Sequence, residues 1–267
     1  MLGSPATAQA AKQKDSYVKS IELCNGAGHA SLESRIEGCT ALIGAGQDMT
    51  SALPIAYNNR GNAYAARGDY DRAIEDFDQS IKLNRTYTKP YNNRGVAYLR
   101  KGNYDLAIEA FGEAIKLNPR YGEAFANRAE AHLKKQEYDR AAQDYDEAIR
   151  LDPNLEAAWN GRCWSRAVLG ELQNALDDCN KALQGGSNNA ATYDSRGLVY
   201  LKLGQFGAAV ADYSSALRID PSLASALYGR GLAKRKMGNQ ADSDADVSAA
   251  RTIRAGIDDD FVRYGVR

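Results

Sequence analysis

The pattern of apolar, small and polar positions along this chain repeats every 34 residues. Ala73, Phe77 and Ser80 stand at i, i+4 and i+7, a spacing that puts them on one face of a helix. The same three columns return as Ala107, Phe111 and Ala114, then as Ala141, Tyr145 and Ala148. They continue through Ala175, Cys179 and Ala182, then Ala209, Tyr213 and Ala216, and close on Ser243, Val247 and Ala250. A fourth column is small throughout: Gly61, Gly95, Ala129, Cys163, Gly197 and Gly231. Small positions facing large ones are how neighbouring helices interlock, so the columns predict paired helices in close contact.

Six units follow: 54–87, 88–121, 122–155, 156–189, 190–223 and 224–257. First helices are expected at 54–67, 88–101, 122–135, 156–169, 190–203 and 224–237, and second helices at 71–84 and each 34-residue step after. Between them stand Gly68-Asp69, Gly102-Asn103, Gly170-Glu171 and Gly204-Gln205, where glycine takes a helix C-terminal conformation. Asn-Pro or Asp-Pro at 118–119, 152–153 and 220–221 ends the second helix, because proline cannot continue it. Arg85 and Ser187 replace that proline, and Gly185-Gly186 loosens the turn before Ser187, so the weakest coupling is expected there.

AYNNRGNAYAARGDYDRAIEDFDQSIKLN from Ala56, PYNNRGVAYLRKGNYDLAIEAFGEAIKLNP from Pro90 and AFANRAEAHLKKQEYDRAAQDYDEAIRLDP from Ala124 carry a family resemblance. Over 54–257, and more weakly from about residue 15, the chain resembles the tetratricopeptide-repeat family. That resemblance implies an all-α solenoid of six helix-turn-helix repeats, a right-handed superhelix whose first helices line a concave groove, and a role in binding peptides or proteins.

The flanks are less regular. Residues 15–53 read as a degenerate leading hairpin, and 258–267 as a short C-terminal cap in which Phe261, Val262 and Tyr264 cover the last apolar face. Residues 1–14 read as a disordered tail or a signal-peptide remnant, since Ala8-Gln9-Ala10 has the small-x-small form of a processing site. A periplasmic or secreted location is the reading preferred over a cytoplasmic one. Composition adds mainly exclusions. Thirty-four basic residues balance 34 acidic ones, so no net field favours nucleic acid. No stretch approaches the roughly 20 apolar residues of a membrane span.

Several constellations are candidates for chemistry. Arg60, Arg94, Arg128, Arg162, Arg196 and Arg230 form a column, followed 16 residues later by Asp76, Asp144, Asp178, Asp212 and Asp246. Ion pairing across each hairpin is expected over the alternative, a basic stripe for acidic ligands. Exposed pairs of that kind contribute under about 1 kcal/mol each. Asn58, Asn59, Asn62, Asn92, Asn93 and Asn127 place carboxamides on the first helices, suited to holding a peptide backbone. Some family members grip an acidic tail with lysines and an arginine among such asparagines. Asn62 and Asn93 match that pattern, but Asn58, Glu123 and Asn127 fill the cationic places, so no such clamp is expected.

Trp164, Val168, Leu198, Leu201, Tyr228 and Leu232 form an apolar strip on the same face, a candidate anchor site. Cys24/Cys39 and Cys163/Cys179 each straddle one hairpin. They read either as two disulfides or as four reduced, buried thiols. No metal-ligand spacing, nucleophile elbow or phosphate loop occurs, so neither catalysis nor a cofactor is expected. His132 stands in a column that holds Tyr64, Tyr98 and Tyr200 and reads as a packing residue; His29 lies in a Gly-rich turn. The expected function is capture of a peptide or partner protein in the groove. The rival is a self-assembling structural protein that pairs with another copy as a homo-oligomer.

Overall fold

The computed structural model describes residues 5–45, 51–184 and 188–266, and among them every regular element is a helix. A leading pair, α1 (Pro5–Cys24) and α2 (Leu32–Gly44), is joined through a 3-10 turn at Ala27–His29. The repeats follow as α3 (Leu53–Ala66) with α4 (Tyr70–Leu83), α5 (Thr88–Arg100) with α6 (Tyr104–Leu117), and α7 (Gly122–Lys134) with α8 (Tyr138–Leu151). Then come α9 (Glu156–Leu169) with α10 (Leu172–Leu183), α11 (Ala190–Lys202) with α12 (Phe206–Ile219), and α13 (Ala224–Lys236) with α14 (Gln240–Ile253). A short helix, α15 (Ile257–Arg263), closes the chain. Contacts divide these elements into two compact units, unit 1 (Met1–Asn127) and unit 2 (Arg128–Arg267), with the boundary inside α7.

Helix α1 starts well before the expected leading hairpin. Proline is tolerated in a first helical turn, and the alanine-rich run behind Pro5 favours helix, so the segment read as a tail is helical from Pro5. Met1 to Ser4 lie outside the described residues, as does the Gly185-Gly186-Ser187 turn where weak coupling is expected.

Local chemistry explains the hairpin ends. Gly68, Gly102, Gly170, Gly204 and Gly238 take positive φ between paired helices. In the third hairpin Gln136 adopts φ 62° at the same place, although glycine is absent. At the ends of α4, α6, α8 and α12, a side-chain oxygen of Asn84, Asn118, Asp152 or Asp220 accepts from the backbone N–H two residues on, at 2.9–3.1 Å. Arg85 can therefore replace proline, because Asn84 already makes the turn.

The interlocking columns meet as their sizes require. A Cβ on Gly95 would stand 2.6 Å from the Phe111 ring. Where the large column is tyrosine, the ring also reaches the next first helix: a Cβ on Gly161 would meet Tyr145 at 2.2 Å, and one on Gly229 would meet Tyr213 at 2.3 Å. After Phe77 and Phe111 the same register holds Asn93 and Asn127. The longer ring is thus matched by a glycine within this one sequence. Cys24–Cys39 ties α1 to α2 and Cys163–Cys179 ties α9 to α10, with Cα atoms 4.6 and 5.3 Å apart. Closing a loop of that length contributes about 3 kcal/mol.

Candidate functional site

The arginine column holds the repeats together. In unit 1, Arg60 Nε and Nη2 donate to Asp76 at 2.8 Å each, and Nη1 reaches back to Thr40 Oγ1 at 3.1 Å. Arg94 has Ala110 where the others have aspartate, and it donates instead to Asp78 of the preceding hairpin at 2.6 Å. In unit 2, Arg128 pairs with Asp144, Arg162 with Asp178, Arg196 with Asp212 and Arg230 with Asp246, each through two hydrogen bonds of 2.6–2.9 Å. The third nitrogen reaches the previous hairpin, Arg162 to Asp146 at 2.6 Å and Arg196 to Asn180 at 2.8 Å. Arg162 also stacks over the Trp159 ring, 4.8 Å from its centroid. Asp76, Asp144, Asp178, Asp212 and Asp246 are buried, so these pairs are stronger than the exposed ones anticipated, and the column offers no free basic stripe.

The asparagines of unit 1 are largely turned on one another. Asn93 Nδ2 donates to Asn58 Oδ1 at 2.9 Å, Asn127 Nδ2 to Asn92 Oδ1 at 3.0 Å, Asn59 Nδ2 to Asn25 Oδ1 at 3.0 Å, and Asn58 Nδ2 to Asn59 Oδ1 at 3.3 Å. Asn58 and Asn92 are buried outright. A buried carboxamide needs partners, and the equivalent residue of the next helix is the nearest one available. Expected as a peptide cradle, this set links successive helices; only Asn62, half-buried, stands outside the chain of bonds.

The apolar strip of unit 2 is partly covered. Leu198, Leu201 and Tyr228 are buried, while Trp164, Val168 and Leu232 are half-buried. The cover is the chain's own C-terminal segment. Its Phe261 ring lies 4.8 Å from that of Tyr228, and Tyr264 meets Trp164 edge-on at 4.9 Å. The Tyr228 hydroxyl donates to Asp258 at 2.8 Å. Lys202, absent from the sequence candidates, donates to the carbonyls of Tyr264 at 2.7 Å, Ala167 at 2.5 Å and Val168 at 3.3 Å. Burial lowers its pKa. Expected to cap only the last hairpin, the segment therefore reaches back to α9. The aromatic residues at 261 and 264 hint at this in the sequence, but nothing there says which helix receives them.

A second residue missed by sequence reasoning lies on the same wall. Asp194, 7% exposed, accepts from Ser225 Oγ at 2.7 Å. Burial pushes its carboxyl up to about 7, against the hydrogen bond from Ser225, which lowers it. One register earlier, at residue 160, the Asn160 Oδ1 atom is buried without a donor. His132 packs as expected, its Nδ1 2.6 Å from Glu137. Among the described residues no cluster of potential ligands could hold a metal ion, and no helix is long and apolar enough to cross a membrane.

Family models described as tetratricopeptide repeat match residues 54–87 and 92–156, and one described as TPR repeat matches 197–238. No curated protein sequence matches significantly. Among solved structures, a tetratricopeptide repeat protein from Parabacteroides merdae ATCC 43184 superposes with a TM-score of 0.68 at 18% identity, covering 94% of this chain and 99% of that one. PilF of Pseudomonas aeruginosa gives 0.66 at 15% identity over 81% and 96% of the two chains. YrrB, described as a TPR protein with an unusual peptide-binding site, gives 0.55 at 18% identity over 72% and 96%. At these identities the likeness is one of fold.

Proposed function

Because the chain belongs to the tetratricopeptide-repeat family, we propose that it is a non-enzymatic module that holds an extended segment of a partner protein against the first helices of unit 2. One observation carries this reading: the wall already receives a polypeptide segment, its own C-terminus. Two rings anchor that segment on Trp164 and Tyr228, and Lys202 binds its backbone at the Tyr264 carbonyl. Aromatic anchors with a backbone hydrogen bond are the means by which grooves hold peptides. Trp164, Val168, Leu198, Leu201, Tyr228 and Leu232 would contact a partner once the tail is displaced, while the asparagines of unit 1 serve mainly to join helices. The peptide-binding site named for YrrB agrees with this use of the fold.

The experiment follows from the same observation. A tethered tail competes at an effective concentration of about millimolar, so it must first be weakened. The Phe261→Ala/Tyr264→Ala chain is titrated with a fluorescent peptide copying residues 256–266. Saturable binding that disappears on adding Trp164→Ala is expected; no binding sinks the proposal. The tail also supports a second reading, in which the segment of another copy occupies the wall and pairs two chains. Sedimentation over a concentration series separates the two, since the adaptor stays a monomer at micromolar levels. The two cysteine bridges support an oxidising, extracytoplasmic location.

A further inference from the structure

We propose that the cavity on the inner wall of unit 2, beside the tail, is a subsite for a cationic side chain of the bound segment, the ammonium of a lysine or the guanidinium of an arginine. The inference rests on the peptide-binding reading and specifies what the peptide carries. The cavity has a volume of about 430 Å³, ample for one long side chain. Its walls come from α7, α8, α9 and α11, including Glu130, Leu133, Lys134, Asn160, Trp164 and Asp194.

One buried aspartate lacks a partner that the others have. Seven aspartates are buried among the described residues: Asp76, Asp144, Asp178, Asp194, Asp212, Asp246 and Asp260. Six of them hold an arginine, the last through Arg254 and Arg263. Asp194 alone has no cation and keeps only the Ser225 hydroxyl. A buried carboxylate without a counter-charge is costly, and the remedy here opens onto a cavity. Its neighbours also suit a cation. Asn160 Oδ1 is an acceptor with no donor, Glu130 adds a carboxylate, and Trp164 offers a ring to a cation. Residues 160 and 194 are equivalent positions on successive first helices, so they face the cavity in register.

The charged and titratable groups around Asp194 are Glu130 and the exposed Lys134 on the cavity wall, with Tyr145 beside them. Tyr213 of α12 and Tyr264 of the tail feel its charge. Lys134 is the one cation among the lining residues, and no ion pair joins it to Asp194 among the described residues; it acts as a competitor at the rim. Without a ligand the Asp194 carboxyl sits near 7. A cation would ionise it on binding, so affinity should rise about tenfold between roughly pH 6 and pH 8.

The test uses the full chain, with N-acetyl-lysine methylamide and N-acetyl-arginine methylamide as probes and the norleucine analogue as the uncharged control. Binding is read by NMR at the Trp164 indole N–H, with Trp159, whose indole donates to the Pro153 carbonyl, as the internal reference. Saturable shifts are expected for the charged probes, at least tenfold weaker for norleucine, stronger at the higher pH, lost in Asp194→Asn and enhanced in Lys134→Ala. Equal response to norleucine, no saturable response to either cation, or unchanged binding by folded Asp194→Asn overturns the subsite. Should Asp194→Asn fail to fold, Asn160→Leu gives the same readout. The tail-peptide titration remains separate: if that peptide binds while the cationic probes do not, only the subsite falls.

Discussion

Gln136 holds a left-handed turn that glycine fills in five other hairpins. A non-glycine residue there costs about 1–2 kcal/mol of backbone strain. Gln136→Gly should therefore stabilise the chain by about 1 kcal/mol, after allowing for the extra freedom glycine has when unfolded. Urea unfolding checks it, and a loss of stability would mean that Gln136 makes compensating contacts. Asp178 receives both Arg162 and Arg166 at 2.6–2.9 Å. Asp178→Ala leaves Arg162 and Arg166 with only the exposed Asp146 as a shared counter-charge and should cost about 3 kcal/mol. Asp146→Ala, at a residue far more exposed, should cost under about 1 kcal/mol. Asp194 has the opposite sign from a paired aspartate. Its folded pKa, about 7, lies above the unfolded value, so its contribution is full below about pH 4 and is lost as pH rises towards 7. Asp194→Asn keeps the shape without the charge and should gain on the wild type by a few kcal/mol at about pH 8, with little difference at about pH 4. Paired melts at the two pH values decide it.

Among the elements, five of the six repeat hairpins are tied by an arginine–aspartate pair of their own, and the C-terminal segment docks by side chains instead. Reducing Cys163–Cys179 should cost about 3 kcal/mol of stability without changing the helical content at low temperature. Thiol titration of the unfolded, unreduced chain should find no reaction from the four cysteines, and four free thiols would reject both bridges. Helix α15 is short and is held by the rings of Phe261 and Tyr264, the Lys202 amine and the Asp258 pair with Arg251. No disulfide secures it, so it is the element best suited to give way to a partner. The 34-residue columns and turn residues made every repeat helix legible in the sequence, because close packing admits few side-chain sizes at each place. They could not locate the tail, since two aromatic residues can dock on any apolar wall within reach.

For the whole molecule, the proposed function makes one demand on mutants. Trp164→Ala should cost about 2 kcal/mol or more of partner binding with circular dichroism unchanged, while Lys116→Ala, exposed on α6, should cost nothing measurable. If partner capture survives Trp164→Ala combined with Tyr228→Ala, the ligand binds elsewhere. The residues that would carry binding were only half readable beforehand. Trp164 and Tyr228 stood out as large rings among groove positions, but Lys202 and Asp194 did not, because a lone lysine or aspartate on a helix has no local signature.

The repeat architecture, the helix pairs, the cysteine partners and the arginine–aspartate pairing were determined by the sequence itself, since each depends on spacings within about one hairpin that recur at a fixed period. Tertiary structure alone decided which groups were consumed and which were left open. It turned the asparagines on each other, laid the tail over Trp164 and Tyr228, and left one buried aspartate without a cation. Those outcomes depend on which side chains meet across separate hairpins, and on what burial withholds from them, neither of which a repeat period encodes.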